Sequence, residues 1–119
     1  MKRDMQLVRE IFFQIEDLPH HNKGPFDKLP DESAEVLDYH LKILQEAGLV
    51  AWDQIDRGND CNWYLGLRLT WIGHEFLDNA RNEGVWSEVR RALNDNAVKS
   101  ASFSIWASTL SDRLSQLLS

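Results

Sequence analysis

The sequence predicts an α+β fold, mainly helical with one small β-hairpin, and three observations predict it. From Asp31 to Val50, residues Val36, Leu37, His40, Leu41, Ile43, Leu44 and Ala47 share one arc at ~100° per residue, with Glu35, Asp38, Tyr39, Lys42, Gln45 and Glu46 opposite. That pattern is a helix buried along one side. Gly48 then supplies a left-handed stop, and segments 49–56 and 62–69, rich in Leu, Val, Ile, Trp and Tyr, flank Arg57-Gly58-Asn59-Asp60-Cys61 as two strands flank a turn. Outside one loop, the rest of the chain repeats apolar residues at helical spacing.

Taken in order, Leu7, Val8, Ile11, Phe12, Ile15 and Leu18 define a first helix, with Asp4 as its N-cap and Pro19 as its end. Phe13 lies off this stripe and is assigned to a widened core, the alternative being a contact surface. Residues 19–30, PHHNKGPFDKLP, hold all three prolines and no period, so they read as a loop with one short turn around Phe26 to Leu29. Asp31 and Ser33 are the candidate caps of the second helix. In the returning strand Trp63, Leu65, Leu67 and Leu69 alternate with Tyr64, Gly66 and Arg68, which predicts that the first set faces the core. Trp63, Trp86 and Trp106 are all expected to be core.

Thr70 caps a third helix with Ile72, Gly73, Phe76, Leu77 and Ala80 on one side, Gly73 allowing a close backbone approach and Gly84 ending it. A helix over about 85–94 follows, with Trp86, Val89 and Leu93 aligned, and Asn94-Asp95-Asn96 interrupts the pattern. A last helix, roughly 98–118, aligns Phe103, Trp106, Leu110, Leu114 and Leu117. Its stripe is expected either to fold back on helix one or the 85–94 helix, or to pair with a second copy. The expected organisation is therefore residues 1–96 as one domain and 97–119 as a C-terminal helix and dimerisation element.

Composition narrows the class. At 119 residues, with 43% hydrophobic and 27% charged residues and no window of 18 apolar residues, the chain reads as one soluble domain without a membrane span. MKRDMQLVRE has no apolar leader core, and the single Cys61 suits a reducing compartment, so the cytoplasm is the expected location. A net charge of -6 works against sequence-independent attraction to phosphate backbones.

Two stretches carry a resemblance. YHLKILQEAGLV at 39–50, and LRLTWIGHEFLDNAR at 67–81 with its Leu-Thr-x-x-Gly-x-x-x-Leu form, resemble the recognition helix and the post-wing helix of winged helix-turn-helix regulators. That resemblance implies a winged helix-turn-helix-like domain followed by C-terminal helices, although the chain leaves little room for the usual second helix. More narrowly, MKRDMQLVREI, the YHLKIL core and Leu-Thr-Trp-x-Gly-His-Glu-Phe-Leu-Asp resemble the uncharacterised domain-of-unknown-function 2513 family over at least residues 1–90. This implies a small bacterial or prophage-type accessory protein, and it brings neither catalytic residues nor a ligand.

The chemistry-bearing residues point away from catalysis. His20 and His21 are adjacent in a loop, His40 lies mid-helix on the apolar arc and His74 begins another helix, without metal-ligand spacing to Cys61, so no metal or cofactor is expected. His40 is assigned to the core, its imidazole satisfied by a backbone or carboxylate partner. His74-Glu75 do not converge on one atom, and there is no nucleophile elbow or phosphate-binding glycine loop, so no enzyme is expected. A DNA-reading helix offers Arg, Lys, Asn or Gln to bases, whereas this one opens with Asp31, Glu32, Glu35 and Asp38 and holds Lys42 as its one cation. Arg57 at the wing tip is offset by Asp56 and Asp60. The expectation is a non-enzymatic binding protein, a mobile-element accessory or inhibitor, contacting a protein with a basic surface through Glu35, Asp38, Tyr39, Lys42, Gln45 and Arg57. The alternative is a winged-helix transcription regulator that binds DNA as a dimer.

Overall fold

The computed structural model describes residues 1–58, 61–95 and 102–118, and its architecture is α+β. The chain divides into two compact units, Met1–His74 and Glu75–Ser119. The boundary expected at 96/97 falls within the second unit, among residues 96–101 that lie outside the described set.

In the first unit, α1 (Met5–Glu16) starts at Asp4, whose carboxylate accepts from the backbone N–H of Gln6 at 3.0 Å and Leu7 at 3.2 Å. Leu7, Val8, Ile11, Phe12 and Ile15 are buried, as the spacing predicts. Phe13 is half-buried, with the Arg9 guanidinium 4.9 Å over its ring one helical turn earlier. The second helix, α2 (Ala34–Glu46), takes Ser33 rather than Asp31 as its cap, Ser33 Oγ accepting from Val36 N–H at 3.2 Å. Leu37, His40, Leu41 and Leu44 form its buried face, and Gly48, at φ +78°, makes the left-handed exit.

The region read as a plain loop contains a strand. β1 (Lys23–Gly24) pairs antiparallel with β4 (Asn62–Leu65), which also pairs with β3 (Gln54–Arg57), giving the sheet order β1-β4-β3. A second two-stranded sheet joins β2 (Val50–Ala51) to β5 (Arg68–Leu69). The predicted hairpin is thus real but broken midway. At the break Asn22 acts as a clip: its Oδ1 accepts from Leu67 N–H at 3.1 Å and its Nδ2 donates to the Leu67 carbonyl at 2.8 Å.

The break overturns one expectation. Gly66, at φ +70°, separates β4 from β5, so the inside-outside alternation restarts there. Leu67 and Leu69 are buried as predicted, but upstream the buried residue is Tyr64, while Trp63 is 46% and Leu65 37% exposed. Trp63 is therefore a surface residue and not core.

Helix α3 (Trp71–Ala80) is capped by Thr70, whose hydroxyl donates to the Gly48 carbonyl at 2.6 Å and accepts from Gly73 N–H at 3.1 Å. Gly73 does sit against backbone, since a Cβ there would collide with the Leu49 carbonyl oxygen. Ile72, predicted inside, is 57% exposed beside the exposed Trp71, whereas Phe76, Leu77 and Ala80 are buried.

In the second unit Gly84 does not end α3. It lies in the first turn of α4 (Glu83–Asp95), which Asn82 caps by accepting from Val85 N–H at 2.9 Å. Helix α5 (Phe103–Leu118) packs on α4, with the rings of Trp86 and Trp106 centred 5.0 Å apart and Arg113 bonded to Glu88 at 2.6 Å. Trp106 and Leu110 are buried, so the last helix lays its stripe on the 85–94 helix, one of the two places open to it, and leaves Leu117 and Leu118 exposed. No described helix is long and apolar enough to cross a membrane.

Candidate functional site

The polar stripe of α2 and the inner face of the hairpin form one cleft. Helical spacing places Asp38, Lys42 and Gln45 on one side of α2 with Tyr39 beside them. Antiparallel register sets Ile55 opposite Tyr64 and Arg57 opposite Asn62. These residues and Trp52 line a concavity of about 380 Å³. Five of the six residues singled out from the sequence, Asp38, Tyr39, Lys42, Gln45 and Arg57, thus come together. Glu35 does not line the cleft and stands exposed in the first turn of α2. Trp52, Ile55, Asn62 and Tyr64 carry no local signal for this site, because only the fold-back of the hairpin brings them to α2.

The cleft floor is held by Tyr64, whose hydroxyl donates to Asp38 Oδ1 at 2.9 Å while the Trp52 ring meets it edge-on at 5.0 Å. Burial pushes the Tyr64 phenol well above its ordinary range, and the bond to the Asp38 carboxylate pushes the same way; Asn62 and Arg57 pull weakly against them. Tyr64 therefore stays a neutral donor and Asp38 has a fixed partner. Lys42 and Arg57 have no ion-pair partner among the described residues. The charged groups lining the cleft are two cations and one carboxylate already engaged by a phenol.

Behind this surface, His40 is 2% exposed, as its place on the apolar arc predicts. Its Nδ1 lies 2.9 Å from the Val36 carbonyl and its Nε2 accepts from Asp4 N–H at 3.0 Å, which assigns the proton to Nδ1. His40 is a bridge between α2 and the start of α1. His20 and His21 line a separate cavity with Asp53, Leu65, Gly66 and Arg68, where Asp53 is paired with Arg68 at 3.0 Å. Among the described residues no three His, Cys, Asp or Glu side chains gather as a metal ion would need.

The outer face of the same sheet carries two exposed apolar side chains among polar neighbours. Trp63 and Leu65 stand on it opposite Asp56 and Gln54 in register, with Lys23 opposite Leu65 on the other side.

Comparison with known proteins returns relatives but no activity. A family model described as hypothetical protein DUF2513 matches residues 2–99. An uncharacterized protein of Haemophilus influenzae is 32% identical over 102 residues, covering 82% of this chain and 83% of that protein. No solved structure matches.

Proposed function

We propose, for a chain that belongs to the DUF2513 family of hypothetical proteins, a winged-helix-like protein that catalyses no reaction and binds another protein. In this reading it is a cytoplasmic accessory or inhibitor of phage or mobile-element type, and its partner carries a basic surface. The element order α1, β1, α2, hairpin, α3, with β1 added to the returning strand of the hairpin, supports the winged-helix comparison.

The observation that carries the protein-binding reading is the exposed pair Trp63 and Leu65 on the outer face of the hairpin. An uncovered tryptophan beside a leucine is a docking anchor rather than a nucleic-acid contact of the groove-reading kind. Exposed Asp31, Glu32, Glu35 and Glu46 on and before α2 add charge complementary to a basic partner. Capture from host lysate with and without nuclease tests the reading. Nuclease-resistant capture, lost in Trp63→Ser, is the expected result; capture that nuclease abolishes overturns it.

The second reading is a DNA-binding regulator acting as a dimer, favoured by Lys42 and Arg57 on the α2-hairpin side, neither of which has an ion-pair partner among the described residues. The carboxylates of α2 oppose it by meeting phosphates of like sign. Anisotropy with random duplex near physiological salt is expected to show no binding tighter than about 10 µM, the middle of the usual non-specific range. Tight, steeply salt-dependent binding would favour the regulator.

A further inference from the structure

The cleft between α2 and the hairpin has features that a protein-docking face does not require. Its volume of about 380 Å³ falls at the lower end of small-ligand pockets, which run from about 300 to 1,000 Å³. Lys42 from α2 and Arg57 from β3 border it without ion-pair partners among the described residues. The one carboxylate lining it, Asp38, is occupied by the Tyr64 hydroxyl. The lining thus carries two cations against one carboxylate, a net positive balance in a chain of net charge -6.

The remaining wall supplies what a flat ring needs. Tyr39 and Trp52 offer aromatic surface, and the carboxamides of Gln45 and Asn62 offer donors and acceptors for ring nitrogens and oxygens. Exposed Glu35 on α2 and Asp56 on β3 oppose the approach of a polyanion. We infer that this cleft binds a small planar anion, an aromatic or heteroaromatic ring carrying one phosphate or carboxylate. Lys42 and Arg57 hold the anionic group, and Tyr39 and Trp52 cover the ring. This site does not rest on the protein-partner reading, which depends on Trp63 on the opposite face.

Isothermal titration of the full chain tests it with four probes: adenosine 5′-monophosphate, indole-3-acetate, adenosine and inorganic phosphate. One of the two ring-bearing anions should saturate a single site, about tenfold more tightly than uncharged adenosine or bare phosphate, because charge-assisted bonds and ring contact act together. The better of the two identifies phosphate or carboxylate as the group recognised. Lys42→Gln and Arg57→Gln should each weaken that binding about fivefold or more while leaving the thermal midpoint unchanged, since both are rim cations. Trp63→Ser should leave it intact. No saturable binding of either ring-bearing anion up to about 10 mM, equal binding of adenosine, or unchanged binding in the double variant would overturn the assignment, and the first two comparisons need no variant to fold.

Discussion

The Tyr64 hydroxyl donates to Asp38 Oδ1 at 2.9 Å, joining β4 to α2 across 26 residues of sequence. Burial and the facing carboxylate hold that phenol above its ordinary value of 10.0, so the folded chain keeps this proton more tightly than the unfolded chain. The linked stability is whole below pH ~10, and above it the unfolded state releases the proton first, at a limiting cost of about 1.4 kcal/mol per pH unit. Tyr64→Phe should cost about 1–2 kcal/mol at pH 7, and the gap to the parent should close as pH rises from about 10 to 11. Urea unfolding across that range measures it; a constant gap would mean the phenol is not held in this way.

His40→Ala removes a buried ring and the acceptor of Asp4 N–H. Cavity and lost bond together should lower stability by about 2–4 kcal/mol. Amide exchange offers the sharper readout: the first turn of α1 should lose protection although the substitution lies in α2. Unchanged exchange at Gln6 and Leu7 would show that the bridge does not hold the helix start.

Gly73→Ala reverses a general rule. In an exposed helix the change stabilises by up to about 1 kcal/mol, but here the added methyl meets the Leu49 backbone carbonyl, which also accepts from Thr70 N–H at 3.0 Å. A loss of about 1–3 kcal/mol is expected, seen as a thermal midpoint lower by roughly 4 °C or more. A raised midpoint would place α3 farther from residue 49.

Trp106→Ala should uncover Trp86 and destabilise the α4-α5 pair by about 3–5 kcal/mol. Hydrogen exchange in 83–93 and 103–118 should accelerate, and a dye for exposed apolar surface should bind. Retained protection in α4 would show that this helix stands without its neighbour.

Much of this fold is legible because local rules decide it. Residue type and position identify Asp4 and Thr70 as caps and narrow the α2 cap to Asp31 or Ser33, and Gly48 needs only its place after an amphipathic run. Elsewhere a distant contact decides. Two residues at 23–24 make too short a strand to leave a pattern, and they are fixed by pairing with β4 more than 35 residues on. The alternation 63, 65, 67, 69 is unbroken on paper; only the left-handed turn at Gly66 shifts its phase and exchanges Trp63 for Tyr64 in the core. Gly84 has the look of a helix stop, yet Asn82 begins the next helix before it. The α2 half of the cleft followed from helical arithmetic, whereas its other wall required the hairpin's lean and had no local signal.

The two-residue β1 also bears on how this chain avoids sticking to itself. A sheet edge with unpaired amides invites a neighbouring chain to add a strand. Here one edge is β1, followed at once by Pro25, which has no amide hydrogen to donate. The other edge is β3, four residues long and carrying Asp56 and Arg57 exposed. Both margins of the sheet are thus too short or too charged to template fibril growth, and Trp63 and Leu65 can remain uncovered on its face without making the protein prone to edge-to-edge aggregation.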